Sequence, residues 1–176
     1  MLKIEPTIYT GFRIPCVRMR STEWGNYDIL LTASRWNVYY YYPRDGAGLV
    51  RTPFGKRAPA FADFLPELDE RGIRLFGVSL SSPEEQQAFA DADGITFPLL
   101  SDEGRLLTTA LSIPVEPDAD GVPWVRPITI VTDSAGRMRR IFYPIADVTR
   151  HPAEVLAYLR GVHTPPFVAP LPRVAA

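Results

Sequence analysis

The sequence predicts an α/β fold built on a mixed β-sheet, and three patterns in its 176 residues carry that prediction. Residues 37–42 (NVYYYY) are a continuous apolar and aromatic run, as in a strand buried on both faces. A second such run, residues 73–80 (IRLFGVSL), stands between two stretches of helical periodicity, which gives strand–helix–strand–helix. Near the C-terminus ITIVT, a DSAG turn and MRRIFYPI read as a hairpin, with strands at 128–132 and 139–143.

Taken in order, residues 13–22 (RIPCVRMRST) and 27–34 (YDILLTAS) partly alternate apolar and polar around EWGN, the pattern of a hairpin. The 37–42 strand ends at Pro43. Residues 44–57 read as a loop with three glycines and the cluster Arg51, Lys56 and Arg57. A helix is predicted over 58–71, where Phe61, Phe64, Leu65 and Leu68 recur at helical spacing and Gly72 stands at the C-cap. The helix over 83–93 is marked by Ser82 as N-cap, Pro83 at its first position, Glu84 and Glu85 in its first turn and Gly94 past its end. FPLLSD reads as a turn into a short helix over 103–111. The last helix, 152–161, starts at Pro152 and carries Val155, Leu156 and Leu159 on one face. His151 and His163 flank it and read as surface or capping histidines. The proline-rich stretch HTPPFVAPLPRVAA follows, so the expected organisation is one domain over 1–163 and a tail over 164–176. The crossover from 37–42 to 73–80 is expected to be parallel and right-handed. This order is that of the thioredoxin fold with an added N-terminal hairpin.

Composition narrows the function classes. Hydrophobic residues make up 46% and charged residues 22%, and the net charge is -1, which gives no reason to expect a nucleic acid or an anionic membrane as partner. No apolar stretch approaches the ~20 residues that span a bilayer. The opening MLKIEPTIYTGF has no apolar signal core, so a cytoplasmic location is expected. One cysteine forms no internal disulfide, and one cysteine with two histidines makes no usual zinc site. Neither a metal nor a cofactor is expected.

Three segments together resemble the peroxiredoxins, the AhpC/TSA or redoxin family. GIRLFGVSLSSPEEQQAFADADGITFPLLSDEGRLLTTALSI (72–113) is the most specific. PITIVTDSAGRMRRIFYPIADVTRHPAEVLAYL (127–159) is similar to the family's second hairpin and last helix, and NVYYYYPRDG (37–46) to its first core strand and the entry to its active loop. The resemblance implies a thioredoxin-like fold and a peroxidatic cysteine in the first turn of the helix after that strand. There the helix N-terminus and an arginine lower the thiol's pKa. The loop PRDGAGLVRTPFGKRAPAF, 43–61, departs from this pattern. Counting on from Pro43 puts the cysteine position near Val50, counting back from Phe61 puts it at Phe54, and Thr52 with Gly55 also reproduces the family spacing. None of these registers gives a thiol. The family's arginine before the ITIVT-like strand falls at Pro127, with Arg126 beside it. A proline there is like thioredoxin proper, where it is cis. Cys16 falls in the N-terminal hairpin and reads as a small half-buried strand residue rather than a catalytic thiol.

The loop at the start of the first helix is the candidate site. Helix N-termini bind anions, and Arg51, Lys56 and Arg57, with Arg44 and Arg126 from strand ends, add positive charge. The competing reading is solvated loop charge, with Arg44 paired to Asp45. GAGLVRTPFGKR is not a phosphate-binding P-loop, because Arg57 stands where Ser or Thr must follow Lys56. Tyr39 and Tyr41 share one face of their strand and Tyr40 and Tyr42 the other, which leaves Tyr42 nearest the loop. The segment 114–126, with Glu116, Asp118, Asp120 and Trp124, is expected over the same end of the sheet. A bound ligand is therefore expected among Tyr42, Arg44, Thr52, Phe54, Gly55, Arg57, Trp124 and Arg126, and no catalytic residue is assignable from spacing. Three functions are compatible: a peroxiredoxin-like protein that handles a small molecule, anionic or otherwise, without thiol chemistry, a noncatalytic interaction module, or a thiol peroxidase that uses Cys16. A homodimer is the expected assembly.

Overall fold

The computed structural model describes residues 10–23, 25–29, 34–42, 60–117 and 121–162. At its centre is β3 (Trp36–Tyr41), every residue of which is buried. It pairs in parallel with β4 (Ile73–Ser79) and antiparallel with β8 (Ile128–Asp133). Beyond β4 lies β5 (Leu99–Ser101), parallel to it. The hairpin of β1 (Arg18–Ser21) and β2 (Gly25–Asp28) continues this edge, with β1 antiparallel to β5. The other edge is β9 (Met138–Phe142), antiparallel to β8. The seven strands follow the order β2-β1-β5-β4-β3-β8-β9. A separate two-stranded ribbon joins β6 (Val115–Pro117) and β7 (Pro123–Val125).

The alternation read from the tyrosine run divides the core. Tyr39 and Tyr41 face a cluster with Phe76, Val78, Ile128 and Ile130, and Tyr40 and Tyr42 face one with Val38, Leu75, Leu99 and Val131. The second face is covered by α1 (Leu65–Glu70), α2 (Pro83–Asp93) and α4 (His151–Gly161), through Leu68, Ala90, Val155, Leu156 and Leu159. The first face is covered by α3 (Leu106–Ala110), Ile14 and the β6–β7 ribbon, through Leu107 and Val125. The two crossovers β3–α1–β4 and β4–α2–β5 step across the sheet in one direction. Right-handed crossovers then put both helices on one face, as seen.

The caps of α2 form as the sequence predicts. Ser82 Oγ accepts from the Glu85 N–H at 3.2 Å, Glu85 Oε2 accepts from the Ser82 N–H at 2.8 Å, and Gly94 turns left-handed at φ 64°. Four expectations need correction. The first helix opens with a 3-10 turn (Phe61–Phe64), held by the Ala60 N–H on Asp63 Oδ2 at 2.7 Å, before α1 begins; residues 58 and 59 lie outside the described residues. FPLLSD contains β5, whose three residues are too few to display a period. The N-terminal hairpin is shorter than its alternation implied, and Gly25 and Asn26 of the expected turn are in β2. His151 is 1% exposed, because α4 begins one residue early and turns it into the core.

Candidate functional site

The parallel strands β3, β4 and β5 end together, and a cleft of about 280 Å³ opens there. Tyr42 follows β3 directly, Ser79 closes β4, and Leu80 and Ser81 lead into α2. Gln86 and Phe89 come from the face of α2 that meets the sheet, and Trp124 of β7 lines the cleft with Val122 and Pro123. Such crevices at the carboxyl ends of parallel strands are where open α/β sheets place ligands. The volume lies near the lower end of small-molecule pockets, about 300 Å³.

The walls are set by packing and by one amide. The Tyr42 ring stacks on Phe89, with centroids 5.6 Å apart and planes inclined by 18°. Gln86 Nε2 donates to Ser79 Oγ at 2.8 Å and to the Leu100 carbonyl at 3.0 Å, and lies 3.4 Å from the Tyr42 hydroxyl. Gln86 is 1% exposed, and its Oε1 is buried with no hydrogen-bond partner among the described residues. Burial raises the pKa of Tyr42, against the lowering effect of hydrogen bonds with Ser79 and Gln86, so its phenol is neutral at physiological pH.

Two further polar clusters lie near the strand ends, both inside the core. Asp102, just past β5, accepts from the N–H groups of Leu107 and Thr108 at 3.0 and 2.8 Å, from Thr108 Oγ1 at 2.5 Å and from the Tyr41 hydroxyl at 3.0 Å. It fixes the start of α3 to the central strand. His151 Nε2 lies 2.6 Å from Thr129 Oγ1 of β8, in a cage of Tyr40, Phe61 and Phe142. Burial lowers the His151 pKa to about 4, so the ring is neutral.

Of the residues expected to bound a ligand, the structure brings Tyr42 and Trp124 to one cleft. Arg126 is exposed and its Nε is tied to Glu116 Oε2 at 3.0 Å across the β6–β7 ribbon; this pairing raises its pKa, and Arg126 is not in the cleft wall. Arg44, Thr52, Phe54, Gly55 and Arg57 lie outside the described residues, as do Asp118 and Asp120. Ser79, Gln86 and Phe89 were not singled out from the sequence. The signal for Gln86 was present: it shares helical spacing with Phe89 and Ala90, a polar side chain on the inward face of α2. Among the described residues the cis peptide bond is Tyr143–Pro144 and not Arg126–Pro127. No group of three His, Cys, Asp or Glu side chains among them is arranged to hold a metal. No helix among them is long and apolar enough to cross a membrane.

Cys16 is exposed, not half-buried, because the chain is not yet in β1 at that point. Its sulfur lies 3.7 Å from Asp28 Oδ1. β1 runs antiparallel to β5, so Cys16 lies toward the end of the sheet that carries the cleft. β1 is three strand spacings from β3, on the order of 14 Å across the sheet.

A mixed sheet in this order, flanked by helices on both faces and with the cleft at the ends of its parallel strands, defines a thioredoxin-like α/β protein. Residues 14–141 match the AhpC/TSA family model, and the chain belongs to that family. The chain is 31% identical over 131 residues to the Mycobacterium tuberculosis protein Rv2521, a peroxiredoxin by name, covering 73% of this chain and 80% of the relative. It is 29% identical over 131 residues to peroxiredoxin Bcp of Xanthomonas campestris, covering 73% and 79%. Among solved structures, the bacterioferritin comigratory protein of Xanthomonas campestris, described for alkyl peroxide reduction, superposes with a TM-score of 0.67 at 26% identity, over 82% of this chain and 90% of that one. The peroxidoxin BcpB of Mycobacterium tuberculosis gives a TM-score of 0.71 at 21% identity, over 88% and 97%, a likeness of fold.

Proposed function

We propose that this chain uses the peroxiredoxin scaffold to bind or transform a small molecule at the cleft beside Tyr42, by chemistry that involves no thiol. The observation that carries this reading is the place of the one cysteine. The segment that joins β3 to the first helix, residues 43–60, contains no cysteine, and Cys16 lies before β1, three strands across. Peroxide reduction by this family's chemistry needs a thiolate, made reactive by a helix N-terminus or a cation. Cys16 starts no helix, and its near polar neighbour is the Asp28 carboxylate. The cleft supports the binding half of the reading with aromatic and aliphatic walls and a few inward polar groups.

The names of the relatives favour a thiol peroxidase, and one assay separates the two readings. Hydrogen peroxide and an alkyl hydroperoxide are supplied with dithiothreitol, and their consumption is followed for the wild type and Cys16→Ser. The expected result is a rate indistinguishable from dithiothreitol alone for both proteins. Catalytic turnover that vanishes in Cys16→Ser makes the chain a thiol peroxidase and refutes the proposal.

A further inference from the structure

A second cleft, of about 410 Å³, lies at the end of the sheet opposite Tyr42, where β4 begins. We propose that it binds a small organic monocation, an ammonium group on a compact apolar body. The two clefts share no described residue, so this site is independent of the chemistry proposed beside Tyr42.

The space exists because β5 is short. Leu99 pairs with Gly77, whose N–H donates to the Pro98 carbonyl at 3.2 Å. Pro98 has no N–H for the next carbonyl of β4, so the ladder stops there. On its other side β5 is held to the end of β1: the Thr22 N–H donates to the Leu99 carbonyl at 3.1 Å, and the Leu99 N–H donates to Thr22 Oγ1 at 3.0 Å. Beyond these bonds a gap opens between the first residues of β4 and the turn that follows β1. Leu75, Phe97 and Pro98 line it with apolar surface, and Leu65 of α1 adds to that surface. Its volume falls within the range of small-molecule pockets, about 300–1,000 Å³.

Three charged residues line the same gap, each from a different element: Glu23 from the β1–β2 turn, Asp69 from α1 and Arg74 from β4. All three are exposed. Partial burial raises the pKa of Glu23, and the positive charge of Arg74 opposes that rise. Glu23 and Arg74 therefore offset each other, and Asp69 carries the charge that is left over. Its carboxylate has no hydrogen-bond or ion-pair partner among the described residues. Glu67, two residues earlier on α1, is by contrast engaged by Arg71 and Arg160. A free carboxylate beside apolar surface complements an ammonium carried on an apolar body, which is held by charge at one end and by burial at the other.

The test uses three probes that carry one phenyl ring on a short chain: phenethylammonium, phenethyl alcohol and hydrocinnamate. Each is titrated at neutral pH into the full-length, isotopically labelled protein while the backbone N–H signals of Leu75 and Thr96 and the Trp124 indole N–H are followed by NMR. Phenethylammonium is expected to shift the Leu75 and Thr96 signals and to saturate, phenethyl alcohol to bind about fivefold more weakly, and hydrocinnamate more weakly still. Asp69→Asn is expected to remove most of the ammonium's advantage and to leave the alcohol's affinity unchanged, and adding Glu23→Gln to remove the rest. Both replaced side chains are exposed, so the variants keep the fold. An ammonium that binds no tighter than the alcohol, or an advantage that survives the double variant, overturns the ligand class. Hydrocinnamate binding tightest of the three assigns the cleft to Arg74 and overturns the ligand class as well. No movement of the Leu75 and Thr96 signals with any probe, or movement of the Trp124 indole alone, overturns the site.

Discussion

Part of the acid destabilisation of this protein should come from His151. Its imidazole is 1% exposed, caged by Tyr40, Phe61 and Phe142, and bonded through Nε2 to Thr129. The Glu154 carboxylate lies 3.8 Å from Nδ1, but it is 60% exposed and does not offset the burial. The folded pKa of about 4 lies below the ordinary 6.5, so the unfolded chain binds the proton more tightly. Stability is therefore complete above about pH 6.5, falls as pH drops, and stops falling for this group below about pH 4. The full difference corresponds to about 3 kcal/mol, of which about 2.5 kcal/mol is lost by about pH 4.5. Urea unfolding at about pH 7.5 and about pH 4.5 measures it. Carboxylates also titrate in this range, so the comparison is with His151→Phe, which keeps an aromatic ring in the cage. The variant leaves the Thr129 hydroxyl without its partner and costs about 1–3 kcal/mol at neutral pH, and adding Thr129→Val reduces that cost. In both variants the acid-induced loss is expected to shrink by about 2.5 kcal/mol. Equal losses in wild type and variants would refute the reasoning.

Asp102→Ala is expected to destabilise by about 3 kcal/mol or more, because it strands two backbone N–H groups in the core and leaves the Tyr41 and Thr108 hydroxyls, 3.2 Å apart, only each other; Asp102→Asn is expected to cost less in the same urea experiment, since it keeps one acceptor. Ser82→Ala removes the cap of α2 and is expected to lower stability by about 1 kcal/mol, read from the urea midpoint.

The fold was legible where hydrophobic pattern and punctuation agreed. β3 and α2 were marked twice over, one by a run that ends at Pro43, the other by Ser82, Pro83 and Gly94. β5 was not legible, because a three-residue strand takes its identity from pairing with β4 and not from its own sequence. The burial of His151 was hidden for a similar reason: its cage comes from β3, the 3-10 turn, β9 and β8, and no local spacing reveals it. At the site, Tyr42 and Trp124 were readable from their places at a strand end and in the segment before β8. Gln86 was passed over because a glutamine in a helix is ordinarily solvated, and only the fold shows that its face of α2 meets the sheet.

Cys16 decides the account most directly. The purified protein is mixed with a stoichiometric amount of hydrogen peroxide, and the gain of one oxygen atom on Cys16 is followed over time by intact mass spectrometry, beside free cysteine in the same buffer. The account predicts that Cys16 oxidises no faster than free cysteine. Oxidation of Cys16 orders of magnitude faster than free cysteine would make it a peroxidatic thiol and contradict the account.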